Sequence, residues 1–144
     1  MVIFPLSKNK TPAVPKGTNW QEYKGNVNTP MFGIMIPQGV FIIDIDTYKG
    51  VSTDDIEDAL GCQLDWDSAE LQKTLNGGMH YAFAIPDNCN LPNDSNLLGV
   101  EGFDSRASGK GYIATGEGYE NLTFHDSIVE ALEDDLPALP GEAI

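Results

Sequence analysis

The apolar residues of the chain fall in short blocks, most of them alternating or running only briefly before a turn residue. That is the length and period of β-strands. VIFPL (2–6) predicts a first strand, stopped by a Ser-Lys-Asn-Lys turn. MFGIMIP (31–37) and VFIIDID (40–46) read as two strands joined in a hairpin by Pro37-Gln38-Gly39. MHYAFAI (79–85) predicts another strand, closed by Pro86-Asp87-Asn88, with a polar loop over 87–98. GVEGFDSR (99–106) and GYIAT (111–115) read as a further strand pair around Ala107-Ser108-Gly109-Lys110.

Helical signals are fewer. A short turn is expected near Asn19–Lys24. After Gly50, Ser52 or Thr53 can cap a helix whose first turn is acidic and which ends at Gly61. Asp126 can cap a last helix over Ser127–Asp134. Leu136–Gly141 is proline-rich and reads as the start of a linker, so residues 1–135 form one domain and 136–144 lead toward a downstream one. Strands that cluster instead of alternating with helices favour an α+β layer architecture.

Composition agrees with one domain: 144 residues, 41% of them hydrophobic. No apolar run approaches the ~20 residues of a membrane span. The N-terminus, MVIFPLSKNK, lacks the features of a signal peptide. Cys62 and Cys89 are far apart with no second pair, which suits thiols in a reducing cytoplasm better than a disulfide framework or zinc site. The net charge of −14, from 8 basic and 22 acidic residues, argues against non-specific binding to nucleic acid or an anionic membrane. Four of the basic residues, Lys8, Lys10, Lys16 and Lys24, lie in one N-terminal stretch.

Three stretches carry chemistry. In FIIDIDTYKG (41–50) an apolar strand ends in two acids. Alternation puts Asp44 and Asp46 on one face and Ile43 and Ile45 on the other. Two carboxylates so placed repel, and hard oxygen donors suit Mg²⁺ or Mn²⁺; the plainer reading is a solvated strand end. A calcium loop does not fit, because the sixth loop position is Lys49 and the twelfth is Asp55. In TLNGGMHYAFAIP (74–86), His80 shares its face with Ala82 and Ala84, and Gly77-Gly78 lets a ligand approach the backbone; the alternative is a turn and a surface histidine. In GVEGFDSRASGKGYIATGEGY (99–119), Asp104 and Arg106 share a face beside a glycine-rich turn with Lys110. A carboxylate there can hold a metal while a guanidinium holds phosphate oxygens. The alternative is a surface ion pair worth little, and Glu101 is a competing acid nearby.

Together, and in this order, these stretches resemble the primase–polymerase (Prim-Pol) domain of the archaeo-eukaryotic primase superfamily, as found in replication proteins of phages and plasmids. FPLSKNKTPAVPKGTNWQEYK is similar to the family's opening strand, Lys-x-Pro segment and Trp. GVFIIDIDTYKG resembles its hydrophobic-Asp-hydrophobic-Asp motif, Gly78-Met79-His80 its small-x-His triplet, and FDSRASGKGYIATGEGY its third acidic motif. The resemblance implies an RRM-like mixed or antiparallel sheet with flanking helices, the archaeo-eukaryotic primase catalytic core. It implies a template-directed DNA polymerase or primase working by two-metal nucleotidyl transfer in phage or plasmid replication. Asp44, Asp46 and Asp104 would be catalytic and hold two Mg²⁺ or Mn²⁺ ions. His80, with Gly77, Gly78, Arg106 and Lys110, would bind the nucleotide; Lys10 matches a family lysine with no assigned role. The implied partners are a DNA primer–template, nucleoside triphosphates and a helicase or helix-bundle domain downstream, with no membrane. The stretch between Trp20 and Phe32 is short for the family. Two other readings share these residues: a non-catalytic module that binds a nucleotide or a replication partner, and a metal-dependent nuclease.

Overall fold

The computed structural model describes residues 1–86, 91, 93–109 and 111–141. Among them the order is β1 (Ile3–Pro5), β2 (Met31–Met35), β3 (Val40–Ile45), α1 (Thr53–Leu60), α2 (Trp66–Ala69), β4 (Glu70–Lys73), β5 (Met79–Ala84), β6 (Phe103–Ala107), β7 (Tyr112–Gly116), β8 (Glu120–Asn121) and α3 (Ile128–Glu133). The class is α+β, as the sequence predicts. The strands form two antiparallel sheets, one ordered β1-β2-β7 and the other β6-β3-β5-β4-β8. The turn near Asn19 is a single 3-10 turn, Trp20–Glu22, capped by the Asn19 side chain.

Both expected hairpins are instead crossings between the sheets. β2 and β3 do not pair, and neither do β6 and β7. Pro37 has no N–H to continue a ladder, and the chain turns there through Val40 N–H to Pro37 C=O. The two crossings are tied to each other. Ser108 Oγ lies 2.7 Å from Pro37 C=O and 2.9 Å from Val40 C=O, its one proton shared between these two acceptors. Gly109 N–H donates to Ile36 C=O, and Ile36 N–H to Gly111 C=O. Strands that change sheets at a corner in this way let two layers share one core.

Alternation along β3 then serves two layers. Phe41, Ile43 and Ile45 face a cluster with Ile56 of α1, Ala69 of α2, Phe83 and Phe103. Val40 and Ile42 face the other way, against Ile34 and Ile36 near β2, Ile113 of β7 and the α3 residues Ile128, Ala131 and Leu132. Asp44 belongs to this second, inter-sheet face by register. A third cluster, Phe4, Leu6 and Ala114, is covered by Trp20, Tyr23 and Tyr112.

Of the two caps the sequence offers for α1, Ser52 is the one used, and it forms a capping box with Asp55. Ser52 Oγ accepts from Asp55 N–H, and Asp55 Oδ2 accepts from Ser52 N–H at 2.9 Å. Such a cap is worth about 1 kcal/mol. Its acids lie on the side of the sheet away from the Asp44 face, because Ile56 packs against the Ile43 side. In α3 the cap is Ser127, not Asp126. Within the segment read as a linker, Leu139 is buried; Ala84 N–H donates to Pro137 C=O and Leu139 N–H to Ala84 C=O.

Candidate active site

The register brings the acids and the histidine into one row. Asp44 on β3 lies opposite His80 on β5 and opposite Asp104 on β6. Ile42 lies opposite Arg106, so the arginine stands one step further along the same face. β3 is buried from Val40 to Ile43 and opens only at Asp44, whose side chain is 16% exposed. Asp46 follows the last strand residue and leads into a 3-10 turn.

Each acid has a different partner. His80 Nε2 is 3.3 Å from Asp44 Oδ2, and Arg106 Nη2 is 3.9 Å from the same oxygen. Lys49 Nζ is 3.4 Å from Asp46 Oδ2. Asp104 Oδ1 accepts from Asn96 N–H at 2.8 Å. Burial works to raise the pKa of Asp44, but the hydrogen bond and charge of His80, with Arg106 and Lys10 further off, outweigh it and hold the carboxyl below its usual range. Asp46 is pushed the other way. Burial and the charges of Asp44 and Asp104 raise it, and Lys49 offsets only part of this. Neighbouring acids driven apart in pKa occur at functional sites and in structural ion-pair networks alike.

The row opens into a cavity of about 500 Å³, in the range of small-molecule sites. Asp44, Asp46, His80 and Arg106 line it, together with Lys10 and Trp20. Asp104 does not; its carboxylate holds the loop at Asn96. Lys110 and Cys89, with Asp87 and Asn88 of the expected turn, lie outside the described residues. Gly77 and Gly78 shape the β4–β5 turn and are not part of the wall, which takes Thr74 and Asn76 instead. Gly77 has φ +81°, and a Cβ on Gly78 would stand 2.9 Å from Ile45 C=O. The turn itself therefore accounts for both glycines.

Lys10 is held in the left-handed region at φ +63°, with Tyr112 Oη donating to its carbonyl at 2.8 Å. Tyr112 packs edge-on against Phe4 and Trp20, with ring centroids 5.1 and 5.0 Å away. The segment carrying Lys10 is thus fastened by an aromatic cluster.

Several site residues escape the sequence reading. Asp94 and Tyr119 line the cavity. Burial, and then the Asp44 charge, push the Tyr119 phenol up to about 12, so it remains a hydroxyl near the acids. Gln72 is fully buried against His80, with Nε2 2.8 Å from His80 Nδ1. β4 was not visible as a strand because it is bulged between Glu70 and Gln72. The bulge leaves consecutive residues, Leu71 and Gln72, both buried and breaks the alternation. Among the described residues, no three His, Cys, Asp or Glu side chains converge as a ready-made metal cage. No helix among them is long and apolar enough to cross a membrane.

No curated protein matches the chain. The family model for the N-terminal domain of bifunctional DNA primase/polymerases matches residues 1–139. That match spans β1 to the buried Leu139, and the chain belongs to the Prim-Pol family.

Proposed function

We propose that this domain is a template-directed nucleotidyltransferase, adding nucleotides to a DNA primer, with its site on the row His80–Asp44–Asp104. The observation that carries the reading is the register itself, which sets Asp44 between a hydrogen-bond donor, His80, and a second carboxylate, Asp104, with Asp44 and His80 on the wall of a cavity.

The donor set fits divalent ions in kind. Asp44, Asp46 and Asp104 are hard oxygen ligands, and the like charges that raise Asp46 are the repulsion a cation relieves. Asp44 and Asp46, both on the cavity wall, would hold Mg²⁺ or Mn²⁺, an ion competing with Lys49 at Asp46 and with His80 and Arg106 at Asp44; Asp104 would join them only by giving up its bond from Asn96 N–H. When bound, such ions activate a primer 3′-hydroxyl and steady a departing pyrophosphate.

The remaining work belongs to the chain's own residues. His80 presents its donor beside Asp44 at 3.3 Å, where a phosphate oxygen would also sit. Arg106 and Lys10 supply positive charge to the same cavity and would stabilise the negative charge that builds on the triphosphate. Trp20 offers an aromatic face on the wall, and Tyr119 a phenol that keeps its proton. The exposed Lys8, Lys16 and Lys24 belong to the segment bearing Lys10 and Trp20, which favours this side for the DNA backbone. A phage or plasmid replication context, and a helicase or helix-bundle domain downstream, follow from the sequence resemblance alone.

The test is extension of a labelled primer on a template, with Mn²⁺ and then Mg²⁺, and a parallel lane without nucleotides. Extension that disappears in Asp44→Ala/Asp46→Ala supports the reading. Nucleotide binding without extension favours a non-catalytic module, and cleavage in the nucleotide-free lane favours a nuclease.

A further inference from the structure

We propose that Gln72 is a positioning residue that fixes the tautomer and the aim of His80. Its amide is placed by groups whose roles are not interchangeable. Gln72 Nε2 is 2.8 Å from Ala114 C=O, which can only accept, so the atom facing it is the NH₂. Gln72 Oε1 then accepts from Thr115 Oγ1 at 2.7 Å. The second hydrogen of the NH₂ points at His80 Nδ1, also at 2.8 Å. Nδ1 is therefore the acceptor, and the ring proton sits on Nε2, the nitrogen facing Asp44 Oδ2 at 3.3 Å.

The network is closed. Gln72 is 0% exposed, His80 6% and Thr115 4%, and no buried side-chain nitrogen or oxygen among the described residues lacks a partner. A buried amide whose nitrogen and oxygen are both hydrogen-bonded holds its neighbours in one arrangement. It also joins the two sheets: Gln72 and His80 belong to the larger, Ala114 and Thr115 to the smaller. The direction of the His80 donor thus depends on how the sheets are set against each other. The β4 bulge is what turns Gln72 into this layer beside Leu71.

The tautomer follows from the geometry alone; its use in nucleotide binding rests on the function proposed above. If a phosphate oxygen takes the position beside Asp44, His80 meets it with an N–H and needs no rearrangement of the ring. Gln72 touches no substrate in this scheme and acts only through His80.

The experiment is long-range ¹⁵N–¹H correlation NMR of histidine-labelled protein carrying His125→Gln, which leaves a single imidazole to read. The expected spectrum is that of the Nε2–H tautomer, giving way to a tautomer mixture in the added Gln72→Met variant. An Nδ1–H tautomer in the parent, or an unchanged Nε2–H signal in folded Gln72→Met, overturns the proposal. If Gln72→Met does not fold, the parent spectrum and a Thr115→Val variant, which removes the donor to Oε1, keep the question open to refutation. In steady-state extension with dATP, Gln72→Met should raise KM by roughly 10-fold, the scale of about one hydrogen bond to a charged group lost or misaimed, with kcat changed less. A KM equal to the parent's, alongside a lost tautomer preference, overturns the link to nucleotide binding but not the tautomer. Absence of extension by the parent itself counts against the polymerase reading alone.

Discussion

Asp44 and Asp104 stand directly opposite each other in the β3–β6 ladder, between the apolar pair Ile45–Phe103 and the pair Ile43–Ser105. Cβ atoms of directly opposed residues lie about 5 Å apart, and like charges so placed destabilise a sheet. A divalent ion held by the cluster would offset the like charge that Asp44 and Asp104 place on Asp46. Mn²⁺ at about 100 times its dissociation constant should stabilise the protein by about 2.7 kcal/mol. Thermal melts with and without the ion measure this. Asp44→Asn and Asp104→Asn should each lose most of the shift; an undiminished shift in both would place the ion elsewhere.

Asp46 should be a site where function opposes stability. An acid whose pKa is raised by folding favours the folded state only while protonated, and that advantage is lost as pH rises through the raised pKa. At neutral pH its charge therefore works against the fold. In EDTA, Asp46→Asn should melt higher than wild type, by less than about 1 kcal/mol because the Lys49 pair is also lost. The difference should shrink below the ordinary carboxylate range, where both side chains are neutral. A variant less stable than wild type at pH 7 contradicts this account of Asp46.

His80→Ala should affect both binding and the fold. It leaves the second Gln72 N–H without its acceptor inside the protein, at a cost of about 1–3 kcal/mol. It also removes the closest donor to Asp44. Denaturant unfolding should show the loss, and KM for nucleotide should rise. A variant of unchanged stability would mean that the buried network does not hold the strands together.

Gly33→Ala tests the smaller sheet. A Cβ on Gly33 would run into the ring of Phe4, which is fully buried and lies across from it on β1. Phe4 also packs on Trp20 with centroids 4.8 Å apart, so the ring has little room to yield. Overpacking of this kind costs about 1–3 kcal/mol. Since Trp20 and Tyr112 border the cavity, lost activity should accompany the lowered melting temperature.

Much of this arrangement was legible from periodicity. The faces of β3 and β5 follow from simple alternation, which put Asp44 opposite in sense to Ile43 and Ile45, and His80 with Ala82. The α1 cap was legible because Ser52 and Asp55 interact within one turn. Pairing was not legible. Pro37-Gln38-Gly39 and Ala107–Lys110 look like hairpin turns, yet β2 and β3, and likewise β6 and β7, lie in different sheets. What separates the two outcomes is the contact between the corners through Ser108, a link between residues far apart in sequence. Gln72 was hidden for a related reason: a bulge broke the local period, and its partners lie on β5 and β7. Lys10 was named, but its fastening by Tyr112 is again a distant contact.

The most direct test of the central claim is single-turnover incorporation of one labelled nucleotide on a primed template. Wild type, Asp44→Asn and Asp104→Asn are compared at equal folded concentration in Mn²⁺. Wild type should incorporate the nucleotide, and each variant should lose at least roughly 100-fold in rate, the scale of removing one stabiliser of transition-state charge. Incorporation at the wild-type rate by both folded variants would contradict it, because the opposed pair at the centre of the row would then have no part in the chemistry.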